Sequence, residues 1–544
     1  MQKYNSIWLR ACLALWAVLS VAGWARAEQA RNVFVMISDG ASFGAWDAAD
    51  LYQYGRRVAS PYFGPDFDKY LMTTYPLGGQ YDPEQAWDLE SYQDTDTGYL
   101  HRGYTCSAAA GTALSTGQKT SNARLNWQPD EEDGPIIPTL PEWAKSRGKV
   151  VGTIASVQWS HATPASFSNA HSPSRNRYAE IARQMLEGDV MDVIMGAGHP
   201  QYDNDGRRTL AEHDDPELDD TRARFVGGRA SWIDLKEGTH PGGWTSIDST
   251  DDFEGLASGP ASVAEVLGAN RRLVGTVPVA TTLQQSRSGY AETDRPFEVD
   301  YTAELPSLAT MARGALNVLS HLDAGEGIFL QIEGGAVDWA AHRNQTARLV
   351  EEQVDFNLAI QVVIDWIEAH GGWEENLLII TTDHGNGMPM GPASDTVAHA
   401  RIEREDLAGG QFSETNPQGV RWWTGAHTNE LVPLFVRGAG AAWFDARVDG
   451  QDPHFAHFYP DWAEQGFDGR YVDNTDVFHV AVQAMSQGVP AEEHVVRSLP
   501  CRSAGDPQGN PRLDLICLTE DPRQVPTDEQ ARAWLEQTVE AGTP

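Results

Sequence analysis

The residues best equipped for chemistry stand directly after apolar runs. Asp39 follows residues 33–37, Glu333 follows 327–332, and Asp383 with His384 follows 377–382. Asp338 and His342 lie four apart in Glu-Gly-Gly-Ala-Val-Asp-Trp-Ala-Ala-His, so on a helix they share one face and can hold one ion. His427 precedes another apolar run, 431–436. Imidazole mixed with carboxylate suits zinc, whereas carboxylate, hydroxyl and water suit magnesium. A hydroxyl is on offer in Thr-Cys-Ser-Ala-Ala-Ala-Gly-Thr-Ala, where Ser107 opens a stretch of small residues. At a helix N-terminus the dipole would favour both an alkoxide and a bound anion. Taken singly, each signal has a plain structural reading: Asp-Gly as a turn, the Asp/His pair as a solvated helix face, Ser107 as a helix cap. Their recurrence at the ends of apolar runs is what points to a site.

The elements that must position them are legible in the same pattern. Largely apolar runs at 33–37, 150–157, 190–195, 327–332, 377–382 and 431–436 read as strands buried on both faces. Helical stretches at 177–186, 308–322 and 350–369 lie between them. This alternation predicts an α/β three-layer sandwich, with a mainly parallel sheet and helices on both faces. Open sheets of that kind build their sites at the carboxyl ends of the strands. Stretches near 203–259 and 395–422 lack sustained periodicity and read as surface insertions. A third, near 451–469, is crowded with aromatics and acids and reads as a lid or crown.

Asp39-Gly, Cys-Ser-Ala-Ala-Ala-Gly-Thr-Ala, His161-Ala-Thr163-Pro-Ala, the Glu333 to His342 segment, Thr-Asp-His-Gly and Gly-Ala-His-Thr together resemble the alkaline phosphatase family, in the family's order from residue 33 to 435. The resemblance implies a phosphomonoesterase working at alkaline pH through a phosphoserine on Ser107, and a homodimer is expected. It implies one Zn2+ on Asp338, His342 and His427, and a second on Asp39, Asp383, His384 and the Ser107 oxygen. A Mg2+ would sit on Asp39, Thr163 and Glu333. Arg175 matches the arginine that clamps phosphate, though one extra residue separates it from the Thr163 motif; Arg177 is the alternative. Cys106 stands where the family often has an acidic residue. His161 and Trp339 stand where some enteric members have Asp and Lys; the pair is similar to marine and cold-active members, so the third site, with His161 among its metal residues, is expected to take Mg2+ or Zn2+. A phosphodiesterase or sulfatase of the same superfamily is the nearest rival. A sulfatase needs Cys-x-Pro-x-Arg, which Cys106 does not begin, and a forked Arg175 favours monoesters over diesters. A secreted metal-storage or adhesion protein would need neither Ser107 nor Arg175.

The remaining sequence sets compartment and surface. Lys3 and Arg10, an apolar stretch at 11–23 and Ala-Arg-Ala at 25–27 read as a signal peptide over residues 1–27. A single catalytic domain is expected over 28–544, secreted or periplasmic, with no later run of ~20 apolar residues for a membrane. The net charge of −37 becomes −40 without Lys3, Arg10 and Arg26, which excludes a nucleic-acid or anionic-membrane surface. Five lysines remain, Lys69, Lys119, Lys145, Lys149 and Lys236, a balance that suits a chain solvated in brine. Cys501 and Cys517 are the natural disulfide pair, leaving Cys106 as a free thiol.

Overall fold

The computed structural model describes residues 29–129, 134–413 and 416–486. The signal-peptide reading and the Cys501–Cys517 pairing fall outside them.

The apolar runs are strands because each is buried on both faces and has two ladder partners. The central four are β1 (Asn32–Ile37), β3 (Val150–Gln158), β7 (Ile328–Glu333) and β8 (Asn376–Thr381), every residue of which is buried. β4 (Val193–Ala197), β6 (Arg272–Thr276) and the edge strand β5 (Trp244–Ile247) extend the parallel set on one side. On the other side β11 (Val432–Gly438) runs antiparallel to both β8 and β2 (Asp68–Thr73), followed by β13 (Arg470–Asp473) and the short β12 (Gly450–Gln451). The full order is β12-β13-β2-β11-β8-β1-β7-β3-β4-β6-β5, an eleven-stranded, mainly parallel sheet, and the two-residue strands β9 (Gly385–Asn386) and β10 (His427–Thr428) form a separate antiparallel pair.

Register brings alternate residues of neighbouring strands onto one face. Phe34 is level with Leu330 and Leu378, and Met36 with Ile332 and Ile380. This face packs against the Leu308–Leu322 and Thr346–Ala369 helices through Leu316, Leu319, Phe356 and Ile360. A second helix set contains Ser107–Thr116, Leu140–Ser146 and Asp476–Met485, the last of which touches β1 and β8. In the Ser107–Thr116 helix Gly111 is required by close approach: a Cβ there would lie 2.2 Å from Ser166 Oγ on the neighbouring Ala162–Ser166 helix.

Two of the stretches read as appendages are structural. Residues 203–259 supply β5 and the Thr250–Ser258 helix, which packs on Leu308–Leu322. Their mixed polarity reflects an edge position. Within 451–469, Phe455 and Trp462 are fully buried, and Trp462 meets Phe43, Phe63 and Phe435 edge-on or tilted. The aromatic segment is therefore core, and contributes no residue to the pocket described below. The 395–422 stretch carries a short helix, Arg404–Ala408, packed against Phe43–Tyr54.

Phe356 presses on the backbone just beyond Glu333, since a Cβ on Gly334 would lie 3.0 Å from its ring. Phe356→Ala is expected to cost ~3–5 kcal/mol of unfolding free energy by cavity formation. Denaturant unfolding checks this, and a loss below about 1 kcal/mol would contradict the packing described.

Candidate metal centre

In-register strands deliver the ligands to one level. Ile37 pairs with both Glu333 and Thr381, so the segments leaving β1 and β8 and the last residue of β7 emerge side by side. Asp39, Glu333, Asp383 and His384 are all fully buried there. Gly40 (φ +70°) turns the chain after Asp39, and a Cβ at that position would sit 2.7 Å from Asp338 Oδ1. The Gly40 and His384 amides both donate to Asp383 Oδ1, at 3.1 and 3.0 Å, leaving Asp383 Oδ2 to face His384 Nε2 at 3.1 Å.

The spacing of Asp338 and His342 does produce a shared face on the Ala336–His342 helix, with Nε2 of His342 3.4 Å from Asp338 Oδ2. His427 Nε2 lies 3.4 Å from Asp338 Oδ1 and 3.1 Å from His342 Nε2. Backbone carbonyls fix both rings: His342 Nδ1–H donates to Gly425 O at 2.7 Å and His427 Nδ1–H to Thr105 O at 2.8 Å. The Nε2 lone pairs of neutral rings then converge on one another and on a carboxylate, a repulsive arrangement unless a cation lies between them. A proton can take that role. Burial alone would raise the Asp338 carboxyl and lower His427, but their mutual hydrogen bond reverses both shifts, holding Asp338 below and His427 above the ordinary range.

A second ligand group adjoins the first. Asp39, Asp338 and His384 offer ligand atoms within 4.8 Å of one another, as do Asp338, His342 and His427, so Asp338 belongs to both groups. The His384 and His427 rings stack with centroids 3.6 Å apart. Asp39 Oδ1, Asp383 Oδ2 and both oxygens of Glu333 are buried with no hydrogen-bond partner among the described residues. Burial, then the neighbouring carboxylates, pushes Asp39 and Glu333 well above the usual range; burial foremost takes Asp383 to about 8. Orphaned acceptors, convergent imidazoles and crowded carboxylates fit divalent cations. Thr163 Oγ1 lies 3.5 Å from Asp39 Oδ2, on the Glu333 side of the cluster.

Ser107 does not cap its helix. Cys106 is the N-cap residue, and Ser107 Oγ instead lies 3.3 Å from His384 Nε2 and 3.4 Å from Arg175 Nη1. Arg175 is half-buried and faces Ser107, whereas Arg177 is exposed and paired with Glu180. His161, expected among the metal residues, faces Arg175 and Trp339. Its Nε2 accepts from Arg175 Nη2 at 3.1 Å, and burial and then Arg175 lower its pKa to about 3. Cys106 is a partly buried free thiol whose Sγ accepts from the Ala123 amide at 3.0 Å. Asn386, which donates to Asp338 Oδ1 at 2.6 Å, escaped the sequence reading, although it follows Thr-Asp-His-Gly directly. A cavity of ≈ 480 Å³ opens over these groups, lined additionally by Tyr104, Trp339, Arg343 and Ala426.

A mainly parallel α/β sheet with two adjoining groups of residues able to hold metal ions at its strand ends is the class this geometry defines. The alkaline phosphatase family model matches residues 30–415, and the chain belongs to that family. It is 28% identical to alkaline phosphatase 3 of Bacillus subtilis over 368 residues, 66% of this chain and 62% of that protein. With Escherichia coli alkaline phosphatase it shares 27% over 393 residues, 68% of this chain and 73% of the other. The chain thus spans about three fifths (62%) of the two Bacillus relatives it matches. Among solved structures, alkaline phosphatase from the Antarctic bacterium TAB5 superposes with a TM-score of 0.54 at 21% identity, covering 84% of this chain and 98% of that one. The Thermus thermophilus alkaline phosphatase gives 0.54 at 20%, covering 94% and 96%. Among the described residues no helix is long and apolar enough to cross a membrane.

Chelation should expose the carboxylate strain as a pH effect. An acid held at about 8 in the folded chain and near 3.9 unfolded binds more protons when folded, so stability falls as pH rises across that interval and levels above it. Chelator-treated protein is expected to lose melting temperature between about pH 5 and pH 8, with metal-saturated protein losing much less. Parallel melting curves for the two forms would count against the centre.

Proposed function

We propose that this chain hydrolyses phosphate monoesters at alkaline pH through a phosphoserine on Ser107. The observation that carries the reading is the placement of Ser107 Oγ between His384 Nε2 and the Arg175 guanidinium, at the mouth of a cation centre. Asp338, His342 and His427 would hold one Zn2+. Asp39, Asp383 and His384, with the Ser107 oxygen, would hold a second. Asp39, Thr163 and Glu333 would hold Mg2+, or Zn2+ in its place. Divalent ions bound there would supply Lewis acidity to the entering and leaving oxygens.

The chain's own groups do the rest. Ser107 begins a ten-residue helix whose N-terminal amides and dipole favour an anionic oxygen and the phosphoryl group. Arg175 presents two nitrogens as a fork, one toward Ser107 and one steadied by His161, suited to two non-bridging phosphate oxygens. Ser107 gives up its hydroxyl proton as Oγ bonds to phosphorus and the ester P–O bond breaks on the opposite side, the departing oxygen gaining a proton to leave as the alcohol. Water then enters from that side, its oxygen joining phosphorus and one of its protons restoring the serine hydroxyl as inorganic phosphate is released. A monoester has three non-bridging oxygens and a diester two, so with one oxygen turned to the cation side a diester leaves only one for the fork, which favours monoesters. A secreted or periplasmic location and a homodimer complete the reading.

Ser107→Ala is expected to abolish the burst of labelled phosphoenzyme while leaving metal content nearly intact, because the side chains of both ligand groups remain. An acid-stable phosphoenzyme in that variant would show that another residue is the nucleophile.

The surface supports a saline setting. None of the five lysines is a free surface charge: Lys69 and Lys149 donate to backbone carbonyls at 2.6–2.8 Å, and Lys119, Lys145 and Lys236 pair with Asp473, Asp192 and Asp248. With metals saturating, the melting temperature is expected to rise as sodium chloride screens carboxylate repulsion, from a Debye length of ~30 Å at 0.01 M to ~3 Å at 1 M. A flat response over that range would remove the halophilic reading and leave the phosphatase reading standing.

A further inference from the structure

The pocket reverses the charge balance of the chain. The protein carries 77 Asp and Glu against 40 Lys and Arg, yet the pocket lining contains one carboxylate, Asp338, and two arginines, Arg175 and Arg343. Asp338 is buried and engaged by His342 and His427, so it does not offset the arginines at the mouth. Arg175 is accounted for by the phosphoryl group. The Arg343 side chain is exposed and makes no hydrogen bond or ion pair with any described residue, its backbone N–H alone being engaged, by Ala341 O at the helix end.

Its position follows from in-line geometry. The entering oxygen, Ser107 Oγ, is deep and beside His384, so the leaving oxygen departs on the side of Asp338, His342 and His427. Of these His342 is the outermost, its side chain 39% exposed, and Arg343 is the next residue, at the C-cap of the same short helix. Whatever is attached to the leaving oxygen must therefore extend past His342 toward Arg343, with Trp339 and Tyr104 in the same lining.

We propose that Arg343 is a specificity residue that binds an anionic group on the alcohol portion of the substrate. The site then prefers phosphate monoesters whose leaving alcohol bears a carboxylate or a second phosphate. This rests on the phosphomonoesterase reading above. A guanidinium suits both groups because its fork matches two oxygens at once. It also gives anionic substrates a local attraction within an otherwise repelling surface.

The test compares 3-phosphoglycerate with glycerol 3-phosphate, which differ by a carboxylate in place of a hydroxymethyl group. Release of inorganic phosphate is followed at low ionic strength for wild-type enzyme, Arg343→Gln and Arg343→Lys. The quantity read is the ratio of kcat/KM for the two esters, which cancels the fraction of active enzyme in each preparation. The wild-type ratio is expected to favour 3-phosphoglycerate. It should fall roughly three- to fivefold in Arg343→Gln, mainly through KM, since an exposed ion pair is worth up to about 1 kcal/mol. Arg343→Lys should retain part of the preference, and added salt should shrink it. An unchanged ratio in Arg343→Gln overturns the proposal. Wild-type enzyme releasing phosphate from neither ester would instead remove the phosphomonoesterase reading, and this one with it.

Discussion

Four carboxylates, Asp39, Glu333, Asp338 and Asp383, are buried within one small volume, and the architecture around them answers that constraint. Like charges at this separation cannot all ionise in a low-dielectric interior without a compensating cation. Holding them together requires rigid supports rather than attraction among the groups themselves. The supports are the β8-β1-β7-β3 ladder, the long Thr346–Ala369 helix behind it, and local bonds such as Ser38 Oγ to Gln353 Oε1 at 2.6 Å. The His342 and His427 imidazoles are likewise aimed by carbonyls on separate loops, around Gly425 and Thr105, so distant parts of the chain must all be in place before the ligand groups exist.

The strands readable from sequence were those with no solvent face. β1, β3, β4, β7, β8 and β11 appear as apolar runs because both sides are covered. β2 was hidden by Asp68 and Lys69; the latter is buried, its charge satisfied by the carbonyls of Gly64 and Phe67, an arrangement composition cannot reveal. β5 and β13 are four-residue strands with partly exposed positions, too short to show alternation. The aromatic 451–469 segment was misplaced for the converse reason. Its acids suggested a surface, but Asp461 ties off Arg57 and Arg401 while Trp462 fills the core.

For the centre, helical spacing was enough to join Asp338 to His342, and motif order brought in Asp39, Asp383, His384 and His427. Partners that act through backbone carbonyls, such as Thr105 and Gly425, carry no side-chain signature and could not be read. That the His161 lone pair serves Arg175 is likewise a matter of space that no motif carries. The sharing of Asp338 between two ligand groups is also a property of space alone.

Strand order bears on when this protein can become a protein at all. β1, the first strand among the described residues, lies in the interior of the sheet, and its two neighbours, Ile328–Glu333 and Asn376–Thr381, arrive about three hundred residues later. Such non-local closure makes folding slow and leaves little that is stable in a partial chain. An N-terminal fragment emerging during synthesis would hold Asp39 and Ser107 but nothing to pair with β1. Assembly is thereby deferred until nearly the whole chain is available, so the affinity for cations is acquired late, in whatever compartment the completed polypeptide has reached.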